Sequence, residues 1–338
     1  MSTYFKLFAN CIPVRGYKRS IICDLQLNRF IYIPNEIFAI LHENKAKEIN
    51  YQQLLKKFDD KTQGLKRFVN YFIENNYGFI TENPNDFPEL DLSWDYPSKI
   101  TNAIIDLSHN SKYNIHKFLK EINELGTPAI QLRFFNKIKW EEILQLLVYI
   151  DKNDFSFESI EIIAPYNPKF KHVFRKLSDY NSMVVSTIIY GSTINKSYFI
   201  KENLCHLTYI KNKFENENSC GIISYNTFNV NLFQFCESQS FNTCLNRKLS
   251  IDQFGNIKNC PSSSKIFGHI DKINISDVVD SAEFKYLWNI KKNDIKICSI
   301  CEYRYMCNDC RIFISDEKDI LSKPLKCSYN PITSLWEN

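Results

Sequence analysis

Four cysteines fall within the thirteen residues CSICEYRYMCNDC, spaced as Cys298-x2-Cys301-x5-Cys307-x2-Cys310. Two cysteines separated by two residues can turn their sulfurs toward one centre, and sulfur-rich coordination suits zinc or an iron–sulfur cluster. Segments of this kind are organised around metal more than around a large apolar core. Three further cysteines extend the spacing, with Cys244-x10-Gly255-x4-Cys260 upstream and Cys327 downstream. Gly255 permits a tight turn, which predicts a hairpin with Cys244 and Cys260 at its open end. A single zinc ribbon uses four ligands and joins its pairs by a longer loop. The five residues between Cys301 and Cys307 count against that reading.

The chain has 338 residues, enough for two or three domains with cores of their own. Its opening, MSTYFKLFANCIPVRGYKRS, has no apolar core followed by a small-residue cleavage site, and no apolar run approaches bilayer length. The expectation is a cytoplasmic protein with no membrane partner. That compartment keeps thiols reduced, so twelve cysteines, eight of them beyond Cys220, read as metal ligands more than as disulfides. A net charge of +4 without a basic block gives no footprint for nucleic acid. The eight glycines never come closer than Gly255 and Gly268, so no Gly-rich phosphate loop exists and any ATP chemistry needs a partner.

The hydrophobic pattern predicts an α/β protein in three segments. Residues 1–82 read as short strands, RSIICDLQ and NRFIYIP, followed by helices at NEIFAILHE, INYQQLLKKF and GLKRFVNYFIEN, a winged unit of three strands and three helices. The acidic, Pro-bearing stretch ENPNDFPELDLSWDYP has no apolar period and reads as a connection. Residues 98–235 alternate strand and helix: ITNAIIDLS, a helix presenting Ile115, Phe118, Leu119 and Ile122 and closed by Gly126, AIQLRFF, WEEILQLLVYI, SIEIIAPY, KFKHVFRKLSDY and MVVSTIIY. Such alternation predicts parallel βα units in an open sheet or part of a barrel. Residues 236–338 form the cysteine-rich segment.

The cysteine spacing resembles the SPASM domain of radical SAM enzymes that modify ribosomally made peptides, whose pattern is C-x(9–15)-G-x4-C, a gap, C-x2-C-x5-C-x3-C, a gap, C. One departure is present, with two residues rather than three before Cys310. The resemblance implies two auxiliary four-iron four-sulfur clusters. Carried over by position, the first takes Cys244, Cys260 and Cys310, and the second Cys298, Cys301, Cys307 and Cys327. Cys236 is the candidate for the missing ligand of the first, beside the reading that it is a buried thiol. Cys11, Cys23, Cys205 and Cys220 fit no ligand spacing and read as core thiols.

The C-x3-C-x2-C loop of a radical SAM enzyme is absent from the whole chain, and HNSKYN follows AIIDLS without a cysteine. The middle segment therefore resembles a degenerate, partial radical-SAM-like barrel, and no SAM is expected. The layout as a whole is similar to the SPASM peptide maturases of grasp-with-spasm systems, which implies a precursor peptide and an ATP-grasp ligase as partners. It gives the N-terminal unit a likeness to the PqqD-type element that captures a leader peptide as an added strand. The leader would then lie between the strand carrying Phe30 and Tyr32 and the helix carrying Phe68, Tyr71 and Phe72, although the same aromatics also read as core. Three functions remain open: a precursor-binding maturation protein, an iron–sulfur enzyme with an open iron site, and a zinc adaptor without catalysis. No hydrolase arrangement competes, since the six histidines are dispersed and no HExxH is present.

Overall fold

The computed structural model describes residues 3–43, 49–50, 62–135, 139–170, 177–214 and 219–337. The chain is of mixed α/β class and divides into two compact units that are not consecutive in sequence. The first comprises Met1–Trp94, Ile222–Thr243 and Asn289–Asn338, and the second Asp95–Gly221 and Cys244–Trp288. This differs from the three consecutive segments expected, because the N-terminal strands and the C-terminal cysteine segment share one core.

In the first unit, β1 (Tyr4–Leu7) lies between β5 (Ile49–Asn50) and β6 (Gly78–Thr81), while β2 (Cys11–Val14), β3 (Ser20–Asp24) and β4 (Arg29–Ile33) form an antiparallel sheet in that order. All five residues of β3 are buried. Side chains alternate across a strand, so Ile22 enters a core with Phe5, Ile33, Phe38, Leu65, Val69 and Phe72. Ile21 and Cys23 enter a second core with Val230, Phe235, Tyr303, Met306 and Tyr329. Helices α1 (Asn35–Glu43) and α2 (Thr62–Glu74) cover the first of these faces, and the cysteine-rich segment covers the other. Of the α2 positions at helical spacing, Leu65, Val69 and Phe72 are buried and Ile73 is exposed. The helix expected over INYQQLLKKF begins instead with strand β5, and its residues 51–58 lie outside the described residues.

The second unit is built on a nine-stranded sheet of order β11-β12-β10-β9-β8-β7-β13-β14-β15. Strands β7 (Asn102–Ser108), β8 (Ala129–Phe135), β9 (Ser159–Pro165), β10 (Val184–Tyr190) and β12 (Cys205–Tyr209) are parallel neighbours, and β11 (Lys196–Ile200) runs antiparallel at the edge. Helix α3 (Ile115–Glu124) starts at Asn114, whose side chain accepts the Lys117 N–H at 3.0 Å, and ends before Gly126 at φ +71°, the left-handed position that glycine tolerates. It buries Phe118, Leu119 and Ile122, and α4 (Trp140–Lys152) buries Trp140, Ile143, Leu147 and Ile150. In KFKHVFRKLSDY a helix is present at Leu177–Tyr180, while residues 171–176 lie outside the described residues.

The last three strands of this sheet come from the cysteine-rich segment. β13 (Lys248–Ile251) pairs parallel with β7, then turns through Gly255 into antiparallel β14 (Asn256–Lys258), which pairs with β15 (Gly268–His269). Gly255 has φ +88°, and a Cβ there would lie 2.7 Å from both His269 Nε2 and Tyr113 Cβ. The turn expected from C-x10-G-x4-C is therefore present, with the close approach that excludes a side chain.

Candidate metal centre

The CSIC motif is wound as a 3-10 turn at Cys298–Ile300 in which the Cys301 N–H donates to the Cys298 carbonyl at 3.0 Å. A second turn follows, with the Met306 N–H donating to Tyr303 O at 3.1 Å. Cys298, Cys301 and Cys307 are thus carried on or beside two successive turns of one short stretch. Cys327 arrives from far along the chain, held by its N–H to Pro324 O at 3.2 Å and by a parallel bridge to Ile223, and it acts electrostatically on Cys298 and Cys307. Cys298, Cys301, Cys307 and Cys327 thus all lie in the first unit.

Beneath this group sits a buried charged triad. Lys292, 3 % exposed, places Nζ 3.8 Å from Cys298 Sγ and 3.2 Å from Asp309 Oδ1. Arg311 reaches the same carboxylate at 2.9 Å, and Asn242 Nδ2 donates to its other oxygen at 2.7 Å. Among the described residues, two buried cations therefore share one carboxylate, and Arg311 Nε has no hydrogen-bond partner. A buried charge is costly unless paired, so one positive charge is left for the thiols to answer. Burial nevertheless dominates the thiols themselves: it pushes Cys307 up to about 12 and raises Cys298 and Cys301, against the lowering effect of Lys292 on Cys298 and Cys307. Burial thus favours the neutral thiol at Cys298, Cys301 and Cys307. With metal bound, the thiolates would match Lys292 and Arg311, and the donor set therefore fits a sulfur-ligated centre.

Cys244 and Cys260 belong to the second unit, whereas Cys310 and Cys236, assigned with them by position, belong to the first. Cys310 Sγ accepts the Phe313 N–H at 3.3 Å, and Cys236 is buried on the helix Leu232–Ser240. Within the second unit the thiol neighbour of Cys260 is Cys220, which the spacing had left as a core residue and which is in fact exposed. Cys220 Sγ lies 3.5 Å from Ser262 Oγ, and Lys248 Nζ lies 3.7 Å from Cys244 Sγ. Neither Cys220 nor the two lysines belongs to a cysteine spacing, so the sequence pattern carries no sign of them. Among the described residues, no three His, Cys, Asp or Glu side chains stand ready around a single metal ion.

The aromatics assigned to leader binding are split by the sheet. Phe30 and Tyr32 lie on the β4 face that meets the cysteine segment, with Tyr32 Oη 2.6 Å from Tyr303 Oη, the Arg19 guanidinium 3.8 Å above the Tyr32 ring, and Phe30 packed edge-on against Tyr303. Phe72 is fully buried in the opposite core, Phe68 packs against it, and Tyr71 is exposed. A peptide cannot lie between two sets on opposite faces of one sheet, which corrects that expectation. A cavity of about 440 Å³ opens elsewhere in the first unit, lined by Phe5, Phe8, Ile12, Leu41, Leu90 and Leu92 beside the outer strand β2. Lys6 holds the connecting segment there through Nζ bonds to the carbonyls of Pro84 and Phe87.

After β7 the chain runs from Ser108 into α3 without a cysteine, and the adjacent strand positions carry a buried bidentate ion pair, Arg133 to Asp106 at 2.6 and 2.8 Å. Among the described residues no helix is long and apolar enough to cross a membrane. No protein-family model, no curated protein and no solved structure matches the chain.

Proposed function

We propose that this protein matures a ribosomally synthesised peptide: it binds the precursor leader, carries sulfur-ligated iron in its cysteine-rich part, and acts with an ATP-grasp ligase. The observation that supports it most is that Cys298, Cys301, Cys307 and Cys327, the set that the SPASM resemblance implies for one four-iron four-sulfur cluster, all lie in the first unit, with Lys292 Nζ 3.8 Å from Cys298 Sγ. A cluster held by these residues would supply rigidity and electron-transfer capacity. The chain's own contribution is to exclude water by burying Cys298 and Cys307 and to offset thiolate charge with Lys292 and Arg311.

For the leader, the apolar cavity beside β2 is the better site. An outer strand offers unpaired backbone groups to an incoming extended peptide, and Ile12, Leu41 and Leu90 line a pocket for its side chains.

The test is anaerobic purification of the full chain with its candidate precursor and ligase, measuring iron, acid-labile sulfide and product mass with each component omitted. Brown protein with equal iron and sulfide, and product only when all three are present, is the expected result. A colourless protein with stoichiometric zinc would overturn the iron–sulfur assignment, and product formed without this chain would overturn the maturation role. Replacing Cys301 or Cys307 with Ala should remove iron and lower the melting temperature together, because metal affinity here is also folding energy.

A further inference from the structure

The backbone and the charge around the cavity beside β2 restrict what can fill it. Cys11, Ile12 and Pro13 line it, so it runs along three of the four residues of that strand. Its walls come from both faces of the sheet: Phe5 and Leu41 belong with the core under α1 and α2, while Leu90 and Leu92 pack on the core of the cysteine segment. Alternation along an antiparallel ladder decides which backbone groups face outward. The Leu25 N–H donates to Asn10 O at 3.0 Å, and Cys11 stands opposite Asp24. Asn10, Ile12 and Val14 therefore bond to β3, while Cys11 and Pro13 turn their groups away from it. The Cys11 N–H is already given to Phe8 O at 2.9 Å, and Pro13 has none to give. The outer edge thus presents two carbonyls and no donor, and neither carbonyl has a partner among the described residues. Cys11 is 2 % exposed, and a shielded carbonyl without a donor carries a desolvation cost.

The segment that supplies Leu90 and Leu92 is of one sign. Glu82, Asp86, Glu89 and Asp91 are exposed along it, and no Lys or Arg occurs between residues 82 and 97. Lys6, which lines the cavity, is buried and gives its Nζ to the carbonyls of Pro84 and Phe87. We propose that this groove takes an extended peptide segment that donates two alternate N–H groups to the Cys11 and Pro13 carbonyls, sets apolar side chains on both sides of β2, and carries Lys or Arg at its flanks. Residues two apart in a strand point the same way, so one segment offers donors at the spacing of the two acceptors and sends the side chain between them to the opposite wall. A proline or N-substituted residue at either donor position is excluded, because it lacks the N–H that the carbonyl needs. A sheet edge from another molecule, which pairs through donors and acceptors alike, gains only half a ladder here. That the occupant is the precursor leader rests on the proposed function; the donor pattern and the charge do not.

The experiment measures binding of four fluorescein-labelled heptapeptides to the full chain by anisotropy. The first is Lys-Lys-Leu-Val-Leu-Lys-Lys; the second has both leucine amides N-methylated, the third has the valine amide alone N-methylated, and the fourth has Glu at every Lys position. The first should bind, and the second should bind at least about tenfold more weakly for want of two hydrogen bonds. The third should match the first, since its blocked amide turns away from β2, and the fourth should bind weakly. A variant carrying Asp86→Lys and Glu89→Lys, both at exposed positions, should reverse the preference between the first and fourth peptides, which a misfolded chain could not do. Equal affinity for the first and second peptides overturns the proposal, as does a charge preference that the variant leaves unmoved. The leader of the candidate precursor then serves as competitor, and displacement of the first peptide upholds both readings. Peptide binding as expected without displacement upholds the groove and overturns the leader as its occupant. A leader that binds the full chain when the first peptide does not upholds leader capture and overturns the groove.

Discussion

At the scale of single residues, two groups govern how this protein tolerates change. Asp309 is the only carboxylate given to both Lys292 and Arg311 among the described residues, and all three are buried. Neutralising it leaves two cations in an apolar surround, and breaking a buried pair in this way typically costs about 3–5 kcal/mol. Asp309→Asn should therefore lower the urea midpoint of the metal-free chain sharply, and an unchanged midpoint would show that the triad is not under strain. Cys11 is the second case. Burial first, then the nearby Asp24 charge, pushes its thiol up to about 12, against the lowering effect of Arg29. The folded state thus holds a proton that the unfolded chain releases near pH 9. The stability this contributes is fully present below pH 9 and is lost as pH rises toward 12. Unfolding curves between pH 8 and 11 should show a declining midpoint whose slope is shallower in Cys11→Val, and identical slopes would remove Cys11 from the account.

At the scale of elements, the hairpin β13–β14 turns at Gly255 between Cys244 and Cys260. Gly255→Ala puts a Cβ within 2.7 Å of two atoms and demands φ near +88°, a conformation that costs a non-glycine residue about 1–2 kcal/mol before any clash. The variant should lose metal from the centre that depends on Cys260 while retaining that of Cys327, which metal analysis on the full chain would read; undiminished metal would show that the turn is not what sets the thiol spacing. This element was legible in advance, because a glycine between two cysteines at hairpin distance predicts the turn, and the turn is there. The βα alternation of residues 98–190 was legible for the same reason, each apolar run being long enough to declare strand or helix. The contacts of Cys220, Lys248 and Lys292 were not, since a side chain that arrives from a loop or from outside the motif leaves no periodic trace. The strand in RSIICDLQ was legible, but not its burial on both faces, since the second core it enters includes residues more than two hundred positions away, which no local pattern encodes.

At the scale of the whole chain, the first unit is assembled from three distant stretches, and this changes what a fragment can do. Residues 1–82 include Val14, Ile21, Cys23 and Leu25, all buried against Val230, Phe235, Tyr303, Met306 and Tyr329 from the other two stretches. In an isolated 1–82 fragment those side chains face water, and each large apolar residue so exposed forfeits about 1.5–3 kcal/mol. Against a net domain stability of about 5–15 kcal/mol, three or four such losses are enough to unfold it. The leader-binding activity expected of a free N-terminal element should therefore be absent from that fragment and present in the full chain. Heating the fragment should give a broad, non-cooperative change in ellipticity, and a labelled leader should bind the intact protein alone. A sharp melting transition in the fragment, with leader affinity equal to that of the full chain, would show that the face of β3 opposite α1 and α2 needs no cover and that the N-terminal strands form a domain by themselves.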